Sequence, residues 1–260
     1  VGLEARSVVV ELDGRIVVRG IDLAVAPGRW CSIAGPNGAG KTSLLRAIAG
    51  LIHHRGDVVI GGRSLDHLRP MDRARLVALV PQQPVIPAGV TVLDYVLLGR
   101  TAHLPPLGVE SASDVTYAEE VITALDLETF RDRHLASMSG GERQRAVIAR
   151  ALAQAAPVLL LDEPTAGLDL GHQQDVLDLV TQMCRERQLT VVSTMHDLTL
   201  AGSYSDDLML MADGAVVAHG PVDETLNAEN LARVTRARFR IVDEDGTKVV
   251  VPLPPRARRA

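Results

Sequence analysis

The chain has 260 residues, 47% of them hydrophobic and 23% charged, with aromatics at only 2% and a net charge of −5. That length suffices for one large domain or two small ones with a sizeable core, built from Val, Leu, Ile and Ala rather than from rings. An acidic balance with no basic stripe argues against nucleic acid as a partner, and no run approaches the roughly 18 apolar residues of a membrane-spanning helix.

In chain order, the first signal is a hairpin: residues 6–12 and 15–26 alternate or run apolar around Asp13-Gly14, a turn pair. The opening VGLEARSVVV carries no basic flank, long apolar run or cleavage site, so no secretory leader is expected. WCSIAG (30–35) is predicted as a buried strand, and the apolar spacing of KTSLLRAIAGL (41–51) predicts a helix. GDVVIGGR (56–63) predicts a short strand, and the prolines of VPQQPVIPAGV (80–90) an exposed loop. Helices are expected over 91–100 and 114–128, so about 84–137 is a helical insertion in an α/β domain. GERQRAVIARALAQ (141–154) is a predicted helix with Val147, Ile148, Ala151 and Leu152 on one face. PVLLLDEP (157–164) and TVVSTMH (190–196) are predicted buried strands separated by a helix over 172–187, and 207–220 forms two strands around an Asp-Gly turn. Strands alternating with helices imply a largely parallel sheet. Cys31 and Cys184 have no metal spacing and are expected as buried or half-buried thiols of a reducing compartment. His53 and His54 are expected on the surface, and Arg256, Arg258 and Arg259 in a solvated end.

Three stretches carry chemistry. Gly35-Pro36-Asn37-Gly38-Ala39-Gly40-Lys41-Thr42, followed by Ser43, fits G-x-x-x-x-G-K-[ST] between a strand and a helix. Its glycines let backbone N–H groups turn inward on phosphate oxygens, and the helix start adds positive potential. Lys41 would reach the β- and γ-phosphates, and the Thr42 hydroxyl would ligate Mg²⁺. Lys41 is one of two lysines, with Lys248, against 25 arginines; a compact charge on a long stem suits a tight backbone nest better than a planar fork. VLLLDEP supplies Asp162 for the magnesium shell and Glu163 as general base toward water. MSGGER (138–143) holds Ser139 and Glu142 in an S-x-x-E capping box. Its Gly140 and Gly141 are costly in a helix unless the backbone must approach something anionic.

With these motifs in place, the chain resembles the ATP-binding subunit of an ABC transporter over essentially its whole length. SGGER is similar to that family's signature, with Glu142 where Gln is common and Met138 where Leu is usual. The resemblance implies a P-loop ATPase core over 1–83 and 138–240, with a mixed, largely parallel sheet and an N-terminal antiparallel β subdomain. It further implies a helical subdomain over about 84–137 and a short tail over 241–260. Gln82 in VPQQ matches the glutamine that senses Mg²⁺ and water beside the membrane partner, with Gln83 the neighbouring alternative. Asp169 in AGLD matches the residue that crosses to the other subunit, and His196 the switch histidine at the γ-phosphate. An aromatic that usually stacks on adenine is missing: no Phe, Tyr or Trp occurs before Trp30, and its place falls near Leu12, with Val18 adding apolar packing. Loose base discrimination is therefore expected.

The same resemblance implies ATP and Mg²⁺ as ligands and a head-to-tail pair of copies, with ATP clamped between Lys41 of one and Ser139, Gly140 and Gly141 of the other. It implies separate membrane permease subunits, an indirect substrate-binding protein, no nucleic acid, and a peripheral position on the cytoplasmic face of the inner membrane. The segments ARLVALVPQQPVIPAGVTVLDYVLLGR, HDLTLAGSYSDDLMLMADGAVVAHG and RFRIVDEDGTKVVVPLPP are similar to ATPases of iron-siderophore, haem and cobalamin importers. Lipid or polysaccharide export, and a soluble ABC ATPase outside transport, are the alternatives.

Overall fold

The computed structural model describes residues 1–105, 108–235, 237–244 and 246–253; the arginines at 256, 258 and 259 lie outside these. Strands β1 (Leu3–Leu12) and β2 (Arg15–Val25) form the expected hairpin. Asp13 and Gly14 both take positive φ, 50° and 73°, which matches the twist of the flanking strands. Strand β3 (Trp30–Ala34) enters the glycine-rich loop and helix α1 (Lys41–Ile48) leaves it. Strands β4 (Arg55–Ile60) and β5 (Arg63–Ser64) complete an antiparallel sheet ordered β2-β1-β4-β5.

Helix α2 (Pro70–Ala74) and strand β6 (Val77–Val80) precede the proline-containing loop. The helical region then comprises α3 (Val92–Leu97), a 3₁₀ segment (Leu98–His103), α4 (Ala112–Ala124) and α5 (Gly140–Ala153). Beyond it follow β7 (Val158–Asp162), α6 (Leu170–Arg187), β8 (Thr190–Met195), α7 (Leu198–Tyr204), β9 (Asp207–Ala212), β10 (Ala215–Pro221), α8 (Val222–Thr225) and α9 (Ala228–Val234). A terminal hairpin pairs β11 (Phe239–Glu244) with β12 (Thr247–Pro252).

The second sheet runs β10-β9-β3-β8-β7-β6, parallel except for the β9–β10 hairpin. Its central strands β3, β7 and β8 are buried along their whole length because both faces are covered. The pleat sends alternate residues to two cores. Leu159 and Leu161 join the core beneath the helical region and α6, whereas Val158 and Leu160 join the one shared with α1 and the antiparallel sheet. The chain is thus an α/β protein with a mixed, largely parallel sheet, an N-terminal antiparallel sheet and a helical region.

Val147, Ile148, Ala151 and Leu152 of α5 are all buried, as the helical spacing predicts. Helix α5 serves the insertion as well as the sheet: Arg100 binds Asp114 at 2.9 Å, donates to the carbonyl of Ala153 at 2.9 Å and stacks over Tyr117. Ser111 and Arg100 together hold the Asp114 carboxyl down at about 2. Both cysteines are buried, and burial pushes the thiol of Cys184 up to about 11.

Three features depart from expectation. Helices α2, α7, α8 and α9 are too short to register as a periodicity. The expected surface residue His54 has a ring only 6% exposed, 3.5 Å from Asp66, while its neighbour His53 is exposed. The terminal segment begins at Phe239, ahead of the expected boundary at 241, and is a docked hairpin: the Val250 N–H donates to Thr199 Oγ1 of α7 at 3.0 Å.

Candidate functional site

The loop from Gly35 to Gly40 reverses direction between β3 and α1, and Gly40 has φ of 94°. A Cβ there would also lie 2.4 Å from the Val17 carbonyl oxygen, so only glycine seats the loop against β2. A pocket of about 420 Å³ opens above it. Asn37 to Ser43 form its floor, Val17 one wall, and Gln82, Glu163 and His196 the other. Lys41 is only 6% exposed, and its ammonium donates to the carbonyls of Gly35 at 2.8 Å and Pro36 at 3.1 Å. Burial lowers its pKa, with the charges of Glu163 and Asp162 opposing that shift.

Asp162 ends β7 beneath this floor, 3% exposed. Its Oδ1 accepts from the hydroxyls of Thr42 at 3.0 Å and Thr194 at 2.7 Å. Glu163 follows in the left-handed region, φ 52°, which turns its side chain out of the strand and over the pocket. One of its carboxylate oxygens accepts from Gln82 Nε2, and the other pairs with His196 Nε2. Two residues distant in sequence, Gln82 and His196, therefore converge on one carboxylate at the mouth of the phosphate loop.

The donor set suits a small hard cation. The Thr42 hydroxyl, the Asp162 carboxylate and the Gln82 amide are oxygen donors of the kind that holds Mg²⁺ together with phosphate oxygens and water. Among the described residues no group of three or more His, Cys, Asp and Glu is placed to cage a metal, so the phosphates would complete the shell.

Ser139 caps α5 as a full capping box: the Glu142 N–H donates to its hydroxyl at 3.3 Å, and Glu142 Oε2 accepts from the Ser139 N–H at 2.8 Å. That backbone bond holds the Glu142 carboxyl below its usual range. The two glycines differ. A Cβ on Gly141 would sit 2.2 Å from His172 Cδ2, so packing explains it, whereas Gly140 meets only Leu168 at 3.8 Å and stays open. Asp169 caps α6, accepting from the His172 N–H at 3.0 Å and pairing with His172 Nδ1 at 2.8 Å. None of Ser139, Gly140, Gly141, Glu142 and Asp169 lines the phosphate-loop pocket.

The two residues expected to pack the base are placed differently. Val18 is fully buried in the core and Leu12 sits at the hairpin tip, 41% exposed; neither lines the pocket. Strand alternation turns Val17 there instead. Gln82 is the glutamine at Glu163, and Gln83 faces a different groove. Thr194 escaped the motif reading, although the two adjacent hydroxyls, Ser193 and Thr194, at the end of a buried strand were the available signal. An aliphatic wall discriminates bases weakly, so ATP and GTP are expected to compete within about tenfold in a displacement titration. A preference above about a hundredfold would show instead a hydrogen-bonded base site.

Residues 18–166 match the family model of the ABC transporter. The chain is 37% identical over 261 residues to the cobalamin import ATP-binding protein BtuD of Halobacterium salinarum, which covers 99% of this chain and 65% of that protein's length. It thus spans less than two thirds of that relative. It is also 38% identical to the hemin import ATP-binding protein HmuV of Nocardia farcinica, over 98% of this chain and 89% of that one. Among solved structures it is similar to a chain from an inward-facing conformation assigned to the metal-chelate type of ABC transporter. The TM-score there is 0.85 at 25% identity, covering 97% of this chain and 98% of that one.

Proposed function

The chain belongs to the ABC transporter family, and from that premise we propose that it is the ATP-hydrolysing subunit which drives import through a separate membrane permease. One observation carries the reading: Glu163 is held by Gln82 and His196 at the mouth of the phosphate loop, beside the Asp162–Thr42 pair. Backbone groups of Asn37 to Ser43 cradle the phosphates, and Lys41 swings from its carbonyl partners to the β- and γ-oxygens. Thr42, Asp162 and Gln82 would hold Mg²⁺, which when bound would offset phosphate charge as the terminal phosphoryl group departs. The Thr42 hydroxyl donates its hydrogen bond to Asp162, leaving its lone pairs for the cation. Glu163 takes a proton from the attacking water, and His196, at the other carboxylate oxygen, meets the γ-phosphate.

The phosphate loop covers one side of the nucleotide only. The open backbone at Gly140 and the helix start at Ser139 form a second anion site outside that pocket. A head-to-tail pair, with Asp169 at the junction, brings that site from a second copy onto the γ-phosphate. A separate groove of about 770 Å³ lies between the end of α1, α2 and the proline-containing loop. Leu51 and Val85, which line it, are 65% and 89% exposed. It is the surface for the permease, and Gln83 within it adjoins Gln82, so docking and the catalytic carboxylate share one loop. The haem and cobalamin relatives, and the likeness to siderophore importers, support a metal-chelate cargo delivered to the permease by a binding protein. Such a subunit sits on the cytoplasmic face of the membrane.

Affinity purification from detergent-solubilised membranes should recover a many-helix permease, and Leu51→Asp with Val85→Asp should abolish its recovery. Recovery of ribosomes or DNA-repair proteins in its place, or a permease indifferent to the double substitution, would refute the reading.

A further inference from the structure

Strand β8 carries two adjacent buried hydroxyls with different fates. Ser193 faces the core, where its Oγ accepts from Trp30 Nε1 at 2.8 Å and shares a hydrogen bond with Ser32 at 2.8 Å. Thr194, fully buried, pairs in register with Asp162 on the neighbouring strand. Its Oγ1 donates to Asp162 Oδ1 at 2.7 Å and accepts the Glu163 N–H at 2.9 Å. The proton assignment is forced, because an amide N–H can only donate and a hydroxyl has a single proton to give.

From this arrangement the geometry points to Thr194 as a positioning residue for hydrolysis, one hydroxyl that sets both the acid beside Thr42 and the backbone of the base. Glu163 sits in the left-handed region, which a β-carbon disfavours, and such a conformation persists only where its surroundings hold it. Thr194 supplies that hold at the amide, while Gln82 and His196 hold the side chain. Two hydroxyls converge on Asp162 Oδ1, so Thr194 also sets where the carboxylate stands relative to Thr42. Core packing does not explain a threonine here, since valine has the same shape. Both partners of its hydroxyl belong to the site.

The inference rests on Glu163 as the base, so the experiment has separate arms. Steady-state ATPase activity is measured with Mg²⁺ varied, alongside titration of Mg²⁺-free nucleotide and thermal unfolding, for the parent chain, Thr194→Val, Thr194→Ala, Thr194→Ser and Glu163→Gln. Thr194→Val and Thr194→Ala are expected to lower kcat about 10- to 100-fold, the scale of a displacement near 1 Å at a reacting group. Their Mg²⁺-free nucleotide Kd should stay within about threefold, because the hydroxyl does not touch the phosphate loop. The Mg²⁺ concentration for half-maximal rate should rise at least about threefold in both. Thr194→Ser, which keeps the hydroxyl, should return kcat to within about threefold of the parent. Should Thr194→Val fail to fold, Thr194→Ala carries the same expectation without the extra methyl group, and Thr194→Ser decides by rescue. A hydroxyl-less variant with parental kcat, or a Thr194→Ser variant as slow as Thr194→Val, overturns the assignment. If Glu163→Gln is inactive while Thr194→Val turns over normally, only this inference falls. If Glu163→Gln itself keeps its turnover, the assignment of the base fails first.

Discussion

Glu163→Gln should bind ATP with nearly unchanged affinity and hydrolyse it about 10²- to 10⁴-fold more slowly, the usual contribution of a positioned general base. The amide keeps the shape of the carboxylate and can still accept from one of Gln82 and His196, which flank the native side chain. It cannot take a proton from water. Glu163 lies across the pocket from the floor formed by Asn37 to Ser43, so the grip on the phosphates survives. Binding without hydrolysis should then accumulate a nucleotide-bound pair of copies, seen as a doubling of mass by light scattering during size-exclusion chromatography with Mg²⁺-ATP. Single-turnover hydrolysis within about tenfold of the parent would remove Glu163 from its role as base.

Lys41→Met is expected to act a step earlier, on binding. Lys41 is the basic residue of the pocket floor, and its ammonium is 2.8 and 3.1 Å from two loop carbonyls that it can exchange for phosphate oxygens. Methionine fills the stem and removes the charge. Charge-assisted hydrogen bonds contribute about 1.5–3 kcal/mol each. Two of them to the β- and γ-oxygens correspond to roughly a 10²- to 10⁴-fold loss of ATP affinity by titration calorimetry. An affinity within about fivefold of the parent would mean that the backbone nest alone carries the phosphates. Arginine should not restore binding, because its planar fork is bulkier than the ammonium and the nest is closed by Gly40 against Val17.

Much of this was readable from the order of residues. The phosphate loop, the Asp162-Glu163 strand end and the Ser139–Glu142 box are contiguous, and each depends on local geometry that short stretches dictate. The paired turn residues Asp13-Gly14 and Asp213-Gly214 announced their hairpins for the same reason. Apolar periodicity placed the long helix α5 and the buried strands β7 and β8, whose boundaries moved by only a residue or two. Short helices such as α7 left no such trace.

What the linear order determined by itself was the chemistry available: a nest for phosphate, one lysine, an acid for a cation, a carboxylate base and a capped glycine-bearing helix start. What only the tertiary structure decided was which of these meet. Gln82, Glu163 and His196 converge because β6, β7 and β8 are neighbours in a parallel sheet whose ends deliver their loops to one edge. Val17 rather than Val18 faces the pocket because the pleat of β2 points alternate residues apart. Gly141 is small because α6 brings His172 against it, and the open backbone of Gly140 lies outside the pocket that holds Lys41. Local motifs are set by short-range sterics and hydrogen bonding within a few residues. Their meeting depends on which strands pair and which faces pack, and those contacts join residues far apart along the chain.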